Sequence, residues 1–315
     1  MRYLIGSRAV LIWLCLWLLS SCLPATRSTQ ETSTQDETQT SPTQPENTTA
    51  PIASAPIASA PSSGCGVAAP STPLQSVNVN GVERSFILHV PPSYDPNRAH
   101  ALVFAFHGRT NSNAQAREYF GLESAFPDAL ILYPSGLQLD TGFSWANPGD
   151  PPENLRDFAL FDELLRVTRH MYCVDSQRVY AVGHSLGGYF AADLGCARAS
   201  ELRAVALLGA GLQGSSCTNS VAAMVLHNPN DTLVPVSEGE KARDVFVRTL
   251  GSVASPVSEA EETLRAFGCS RYSGAADAVL WCPHRFDHAY DGSYYPHTWP
   301  PETATAMASF FGSLP

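Results

Sequence analysis

The pattern of apolar and polar positions changes character three times along the chain. Ala9 to Leu19 is an unbroken apolar run behind Arg2 and Arg8, followed by Ser20, Ser21 and Cys22. Residues 23–64 carry Thr, Ser, Gln, Pro and Ala with few large apolar side chains, and Pro51-Ile-Ala-Ser-Ala is repeated from Pro56. From Cys65 onward the pattern is that of a folded domain. Gln75–Asn80 and Arg84–Val90 alternate around Asn80-Gly81, which predicts a hairpin. Ala101–Phe106 and Ala129–Tyr133 are continuous apolar runs, as expected of strands buried on both faces. Arg178–Val182, Ala204–Leu208 and Ala222–Leu226 are further strands. Asp157–Met171 places Phe158, Phe161, Leu164, Leu165 and Thr168 at helical spacing, and Leu186–Ala199, Ser237–Leu250 and Glu302–Phe311 also read as helices. Strands that alternate with helices predict an α/β fold: a mostly parallel central sheet flanked by helices, with an N-terminal antiparallel hairpin.

The first two segments lie outside that domain. A positive start, an apolar stretch and small residues make 1–21 a signal peptide. Leu19-Ser20-Ser21-Cys22 resembles the lipobox of bacterial lipoproteins, which implies that Cys22 receives a diacylglyceryl thioether and becomes the first mature residue. The expectation is an exported bacterial lipoprotein at the cell surface or on the periplasmic face of a membrane, or otherwise a secreted protein. A segment as poor in apolar side chains as 22–64 cannot offset its ordering entropy by burial, so it is expected to be a disordered tether. The domain is then 65–315, or 315 − 64 = 251 residues, a length one large α/β domain can fill.

Composition narrows the function classes. Hydrophobic residues make up 44% of the chain and charged ones 15%, enough apolar material for a sizeable core. The net charge is −10 and Lys241 is the one lysine among 19 basic residues, so no basic stripe awaits nucleic acid. No later window of 18 apolar residues predicts a spanning helix. Of eight cysteines, Cys15 leaves with the leader and Cys22 is lipidated. Six remain, Cys65, Cys173, Cys196, Cys217, Cys269 and Cys282, and an even number in an exported chain points to three disulfides. Fifteen pairings are possible. The scheme expected is Cys269–Cys282 across the short polar segment with Ser273-Gly274, and Cys196–Cys217 between the end of the helix Leu186–Ala199 and the segment after the strand Ala204–Leu208. Cys65 and Cys173 are left for each other.

Gly183-His184-Ser185-Leu186-Gly187-Gly188 sits between a strand and a helix. A nucleophilic serine needs a sharp turn that lifts its hydroxyl above the sheet, and the flanking glycines leave room for it. A hydroxyl attacks only with a base beside it and a carboxylate orienting that base. Asp231 lies just past the strand Ala222–Leu226, whereas Asp193 and Asp244 fall inside helices. His297 precedes the last helix and is the expected base, ahead of His288 and His284. Cys282, His284, Asp287 and His288 lack the spacing of a zinc site, so no metal or other cofactor is expected. His107-Gly108 follows the strand Ala101–Phe106, and the backbone N–H groups of Arg109 and Leu186 are the candidate oxyanion hole. Phe143, Trp145, Tyr290, Tyr294, Tyr295 and Trp299 supply aromatics for a planar acid or a sugar ring, with Trp145 and Trp299 expected to bind substrate.

These residues are similar to the secreted serine esterase family of feruloyl esterases, acetylxylan esterases and polyhydroxybutyrate depolymerases. The resemblance runs over roughly 64–312. It rests on Gly64-Cys-Gly66, Arg84-Ser-Phe, Val90-Pro-Pro-Ser-Tyr, Phe106-His-Gly108, Tyr133-Pro134, Trp145 and Tyr172-Cys-Val-Asp175. It also rests on Arg178 through Gly188 and on His297-Thr-Trp-Pro. It implies an α/β-hydrolase with the triad Ser185, Asp231 and His297. Gly64-Cys65-Gly66 and Tyr172-Cys173 are closest in look to the feruloyl branch. The chain departs from the family in having Leu186 where Asn often follows the nucleophile, and Asn228 where Gly often follows His227. The expectation is a monomeric enzyme that cleaves hydroxycinnamoyl esters of plant cell-wall polysaccharide through an acyl-enzyme. A polyhydroxybutyrate depolymerase (a polyester substrate) or an acetylxylan esterase is the alternative, and a non-catalytic surface binding lipoprotein the alternative of a different class.

Overall fold

A computed structural model describes residues 61–139, 142–145, 156–251, 255–274 and 277–315. The leader, Cys22 and most of the tether lie outside the described residues. Fourteen elements precede the last strands and helices. They are β1 (Ser76–Val79), β2 (Val82–His89), β3 (His100–Phe106), α1 (Asn113–Phe120), α2 (Leu122–Ala125), β4 (Leu130–Pro134), β5 (Leu137–Leu139) and β6 (Gly142–Ser144), then α3 (Arg156–Met171), β7 (Val174–His184), α4 (Leu186–Ala197), β8 (Ala204–Leu208), β9 (Ala222–Leu226) and α5 (Val236–Thr249). After them come β10 (Val257–Ser258), α6 (Glu262–Ala266), β11 (Ser270–Ser273), β12 (Ala278–Cys282) and α7 (Thr303–Gly312).

One sheet runs in the order β1-β2-β4-β3-β7-β8-β9-β12-β11-β10. Its middle, β4 through β12, is parallel. The opening hairpin forms the antiparallel edge that the sequence predicts, turning through Asn80 (φ 51°) and Gly81 (φ 85°). The opposite edge, β11 and β10, is also antiparallel. Alternation along β3 explains its apolar run: Leu102, Phe104 and Phe106 enter one core with α3 and α4, while Val103 and Ala105 enter the other with α1 and α7. Each such side chain contributes about 1.5–3 kcal/mol when fully buried. Exposed ion pairs such as Arg166–Glu163 add under about 1 kcal/mol, so the two cores and not surface charge hold the sheet.

The folded body begins earlier than the sequence boundary at 65. Ser62 Oγ donates to Tyr172 O at 2.7 Å and accepts from Val174 N–H at 2.9 Å, and Gly64 N–H donates to Arg169 O at 2.9 Å. Those bonds hold Ser62–Gly64 beside the Cys65–Cys173 disulfide. The other disulfides join Cys196 to Cys217 and Cys269 to Cys282, the pairs expected from their positions.

Candidate active site

All the chemistry gathers where the parallel strands end. Ser185 follows β7, Asp231 lies five residues past β9, His297 lies in the loop after β12, and His107 follows β3. That is the end of an open parallel sheet where ligands bind.

Ser185 has φ 54° and ψ −125°, a conformation other residues rarely adopt, held by its N–H on Leu208 O (2.9 Å) and its carbonyl under the N–H groups of Gly188 (2.8 Å) and Tyr189 (3.0 Å). The turn is possible because β7 and α4 meet backbone to backbone: a Cβ on Gly183 would stand 2.1 Å from Gly187 O. Leu186 opens α4, so its N–H has no acceptor inside the helix.

His297 Nδ1–H donates to Asp231 Oδ2 at 2.5 Å, and both side chains are buried. Asp231 Oδ1 accepts the N–H groups of Leu233 (2.8 Å) and Val234 (2.9 Å). Burial alone would raise the Asp231 carboxyl. The bonds from His297 and the two backbone N–H groups outweigh it, and the group is held below its ordinary value, ionised. His227 stands nearer to this carboxylate than the sequence suggested, with Nε2 3.7 Å from Oδ2, but its hydrogen bond goes to Val234 O at 2.9 Å. His284 is buried against Phe267 and Phe286, and His288 sits in a bridge with Tyr294.

Two further histidines brace the site. His184 Nε2–H donates to His297 O at 3.0 Å, so Nδ1 is free to accept the Tyr119 hydroxyl at 3.2 Å. Burial and the neighbouring His297 lower its pKa to about 3, which keeps it neutral. His107 accepts Gly136 N–H at Nε2 (2.9 Å) and therefore donates from Nδ1 to Gly108 O (2.7 Å). Burial lowers it to about 4. Since C=O and N–H point opposite ways across a trans peptide, the Arg109 N–H is turned away from His107. Thr110 N–H is committed to Phe143 O at 2.9 Å, which leaves the Arg109 N–H as the donor this loop can offer.

The aromatic expectation needs correcting at Trp145. Only 1% of it is exposed: its ring lies parallel to Phe190, edge-on to Phe106, and Nε1–H donates to His107 O at 2.8 Å. It holds the loop after β3 from inside and has no face for a substrate. Trp299 is half-buried, stacked on Phe120 at 4.1 Å and edge-on to His184. Sequence reasoning also missed Gly209, where a Cβ would stand 2.9 Å from His297 Cε1. Its one signal was a glycine directly after the β8 apolar run.

A strained serine at the head of α4, a buried acid–histidine pair and this sheet order define an α/β-hydrolase. A family model described as "Putative esterase" matches residues 78–215. The chain is 34% identical to "Probable feruloyl esterase C" of Aspergillus terreus over 67% of its own length and 79% of that protein. It is 31% identical to "Feruloyl esterase D" of Neurospora crassa over 72% and 82%. In fold it is similar to an acetyl xylan esterase from Aspergillus awamori (TM-score 0.59, 15% identity, 76% of this chain and 98% of that one). The Bacillus cereus carboxylesterase is a second such structure (TM-score 0.52, 14% identity, 73% and 93%). The chain belongs to the esterase family of these feruloyl esterases and is a carboxylic ester hydrolase.

Proposed function

We propose that this protein is an exported serine esterase whose preferred substrates are hydroxycinnamoyl esters of plant cell-wall polysaccharide. Ser185 Oγ attacks the ester carbonyl while His297 Nε2 takes its proton. The N–H groups of Arg109 and Leu186 receive the oxyanion. The tetrahedral intermediate collapses as His297 passes that proton to the leaving alcohol. Water, activated by the same imidazole, then releases the acid and restores Ser185. Asp231 stays ionised and fixes the imidazole with its proton on Nδ1. Half-buried Trp299 keeps the acyl-binding role and Trp145 gives it up. The observation that carries the reading is the 2.5 Å bond between His297 and Asp231 at the same sheet end as the strained Ser185.

The leader and three disulfides support export, and Cys22 is the proposed point of lipid attachment. Metabolic labelling with a fatty acid should mark the wild type and leave Cys22→Ala unmarked. A wild type without label would remove the anchor from the proposal.

Methyl ferulate, acetylated xylan and polyhydroxybutyrate offered side by side test the substrate. Methyl ferulate should be cleaved fastest, and Ser185→Ala should lower kcat on the order of 10⁴–10⁶-fold with the fold intact. A folded Ser185→Ala protein with a tenth of wild-type activity would sink the mechanism; faster clearing of the polyester would sink the substrate class.

A further inference from the structure

We infer that the hairpin 288–294, with Tyr290 and Tyr294 on it, is a carbohydrate platform that holds the sugar side of the ester; the inference deepens the esterase reading and rests on it.

Large apolar side chains are exposed at few places among the described residues. Four of them, Leu233, Tyr290, Tyr294 and Tyr295, lie in the two loops that carry Asp231 and His297. Tyr290 is fully exposed and Tyr294 is 64% exposed. Exposed apolar side chains grouped in neighbouring loops mark an interaction surface.

The hairpin backbone that carries these rings is fixed by its own bonds. His288 and Tyr294 pair as an antiparallel bridge, Ala289 N–H donates to Ser293 O at 2.9 Å, and Gly292 N–H donates to Ala289 O at 2.9 Å. At the tip Asp291 Oδ1 accepts both the N–H (2.9 Å) and the hydroxyl (2.6 Å) of Ser293. The base is bolted to the acid loop. Tyr295 N–H donates to Asp287 O at 2.7 Å, and Asn228 Nδ2 donates to Phe286 O (2.9 Å) and Asp287 Oδ1 (2.7 Å). Asn228 is the residue that replaces the family's usual glycine, so this chain has its own fastening between the two loops.

Position then selects the part of the substrate. His297 gives its proton to the leaving alcohol, so the alcohol departs beside that imidazole. Tyr295 stands edge-on to His297 with centroids 6.1 Å apart, and the hairpin leads outward from it. The group the hairpin meets is therefore the alcohol and not the acyl part. In a wall ester that alcohol is a sugar on a chain. Its C–H faces stack on flat rings, and tyrosine hydroxyls add hydrogen bonds that a polyester surface has no donors to return.

The test compares Tyr290→Ala/Tyr294→Ala with the parent on methyl ferulate and on a feruloylated xylo-oligosaccharide. KM for the oligosaccharide should rise about tenfold, while kcat/KM for methyl ferulate changes less than twofold. Equal changes on both esters, or none on either, would overturn the platform. A second arm needs no turnover. Ser185→Ala should bind ester-free xylo-oligosaccharides in calorimetry, and the same protein lacking the two tyrosines should bind them at least fivefold more weakly. Should the enzyme cleave neither feruloyl ester, the substrate reading fails, and this arm alone still decides the platform. Absence of binding, or binding insensitive to the tyrosines, refutes it, as does tyrosine-dependent adsorption to polyhydroxybutyrate film without oligosaccharide binding.

Discussion

At Gly209 a single hydrogen in place of a methyl group decides where the His297 imidazole sits. The residue has φ 59°, and an added Cβ would stand 2.9 Å from His297 Cε1, 3.0 Å from His297 Nδ1 and 3.5 Å from Asp231 Oδ2. The ring would have to move by several tenths of an ångström, and its bond to Asp231 has no slack. Displacements near 1 Å at a reacting group cost on the order of 10²-fold. Gly209→Ala should therefore lower kcat for a small acetyl ester by roughly 10²-fold, with a cooperative melt retained. Activity within threefold of wild type would show that the loop yields and that Gly209 serves only the turn. The same scale separates what the sequence could tell from what it could not. The meeting of Asp231 and His297 at the sheet end that carries Ser185 was legible because each combines a reactive side chain with a position just past a strand or before a helix. The burial of Trp145 was not, since an aromatic in a loop reads the same whether it faces a pocket or plugs the core. Gly209 was invisible because its importance lies in an atom it lacks.

Among the elements, the legible ones were those with a strong periodic or continuous apolar signal. β8 and β9 fall where the runs Ala204–Leu208 and Ala222–Leu226 predict them, and α3 differs by one residue. β12 is just as apolar a five-residue run and was not among the predicted strands. α1 buries only Ala116 and Phe120, too little for an amphipathic stripe; its Ser112–Gln115 capping box was the readable sign. One contact between elements supports the loop after β3 from a distance. Arg84 on β2 reaches Asp157 on α3 at 2.6 Å and Ser135 O at 3.0 Å, with both side chains at most 2% exposed. Ser135 precedes Gly136, whose N–H fixes the His107 ring. Removing one partner of a buried pair strands the other charge, which costs about 3–5 kcal/mol. Asp157→Asn should accordingly lose about that much in urea unfolding, and its kcat should fall while KM for a small ester stays near that of the parent. A loss below about 1 kcal/mol would mean that Arg84 finds water or another acceptor.

For the whole molecule, pH is the variable that exposes the buried ionisable groups together. His107, His184 and His284 are lowered to about 4, 3 and 4, in each case chiefly by burial. Each is neutral in the fold and takes up a proton on unfolding, so its contribution is complete above pH 6.5 and is lost as pH falls toward 4. Asp193 does the reverse. Burial raises it to about 7; its Oδ1 accepts Gln213 N–H at 3.4 Å, and its buried Oδ2 has no hydrogen-bond partner. It is protonated in the fold below that value, and its contribution is present below about pH 4 and lost as pH rises through 7. Near pH 5.5 unfolding therefore takes up protons at these histidines, and at His227 and His89, which burial also lowers, and releases one at Asp193. Each proton is worth about 1.4 kcal/mol per pH unit, so stability should fall by several kcal/mol per unit on acidification. Asp193→Asn deletes the opposing member. The variant should be more stable than the parent at pH 8, by roughly 2–4 kcal/mol, and should lose that advantage as pH falls toward 4, giving a steeper acid limb. Urea midpoints from pH 4.5 to 8 measure both slopes. Parallel curves for the two proteins would show that Asp193 titrates alike in the folded and unfolded chains, and that the uncharged Asn relieves no buried charge on α4.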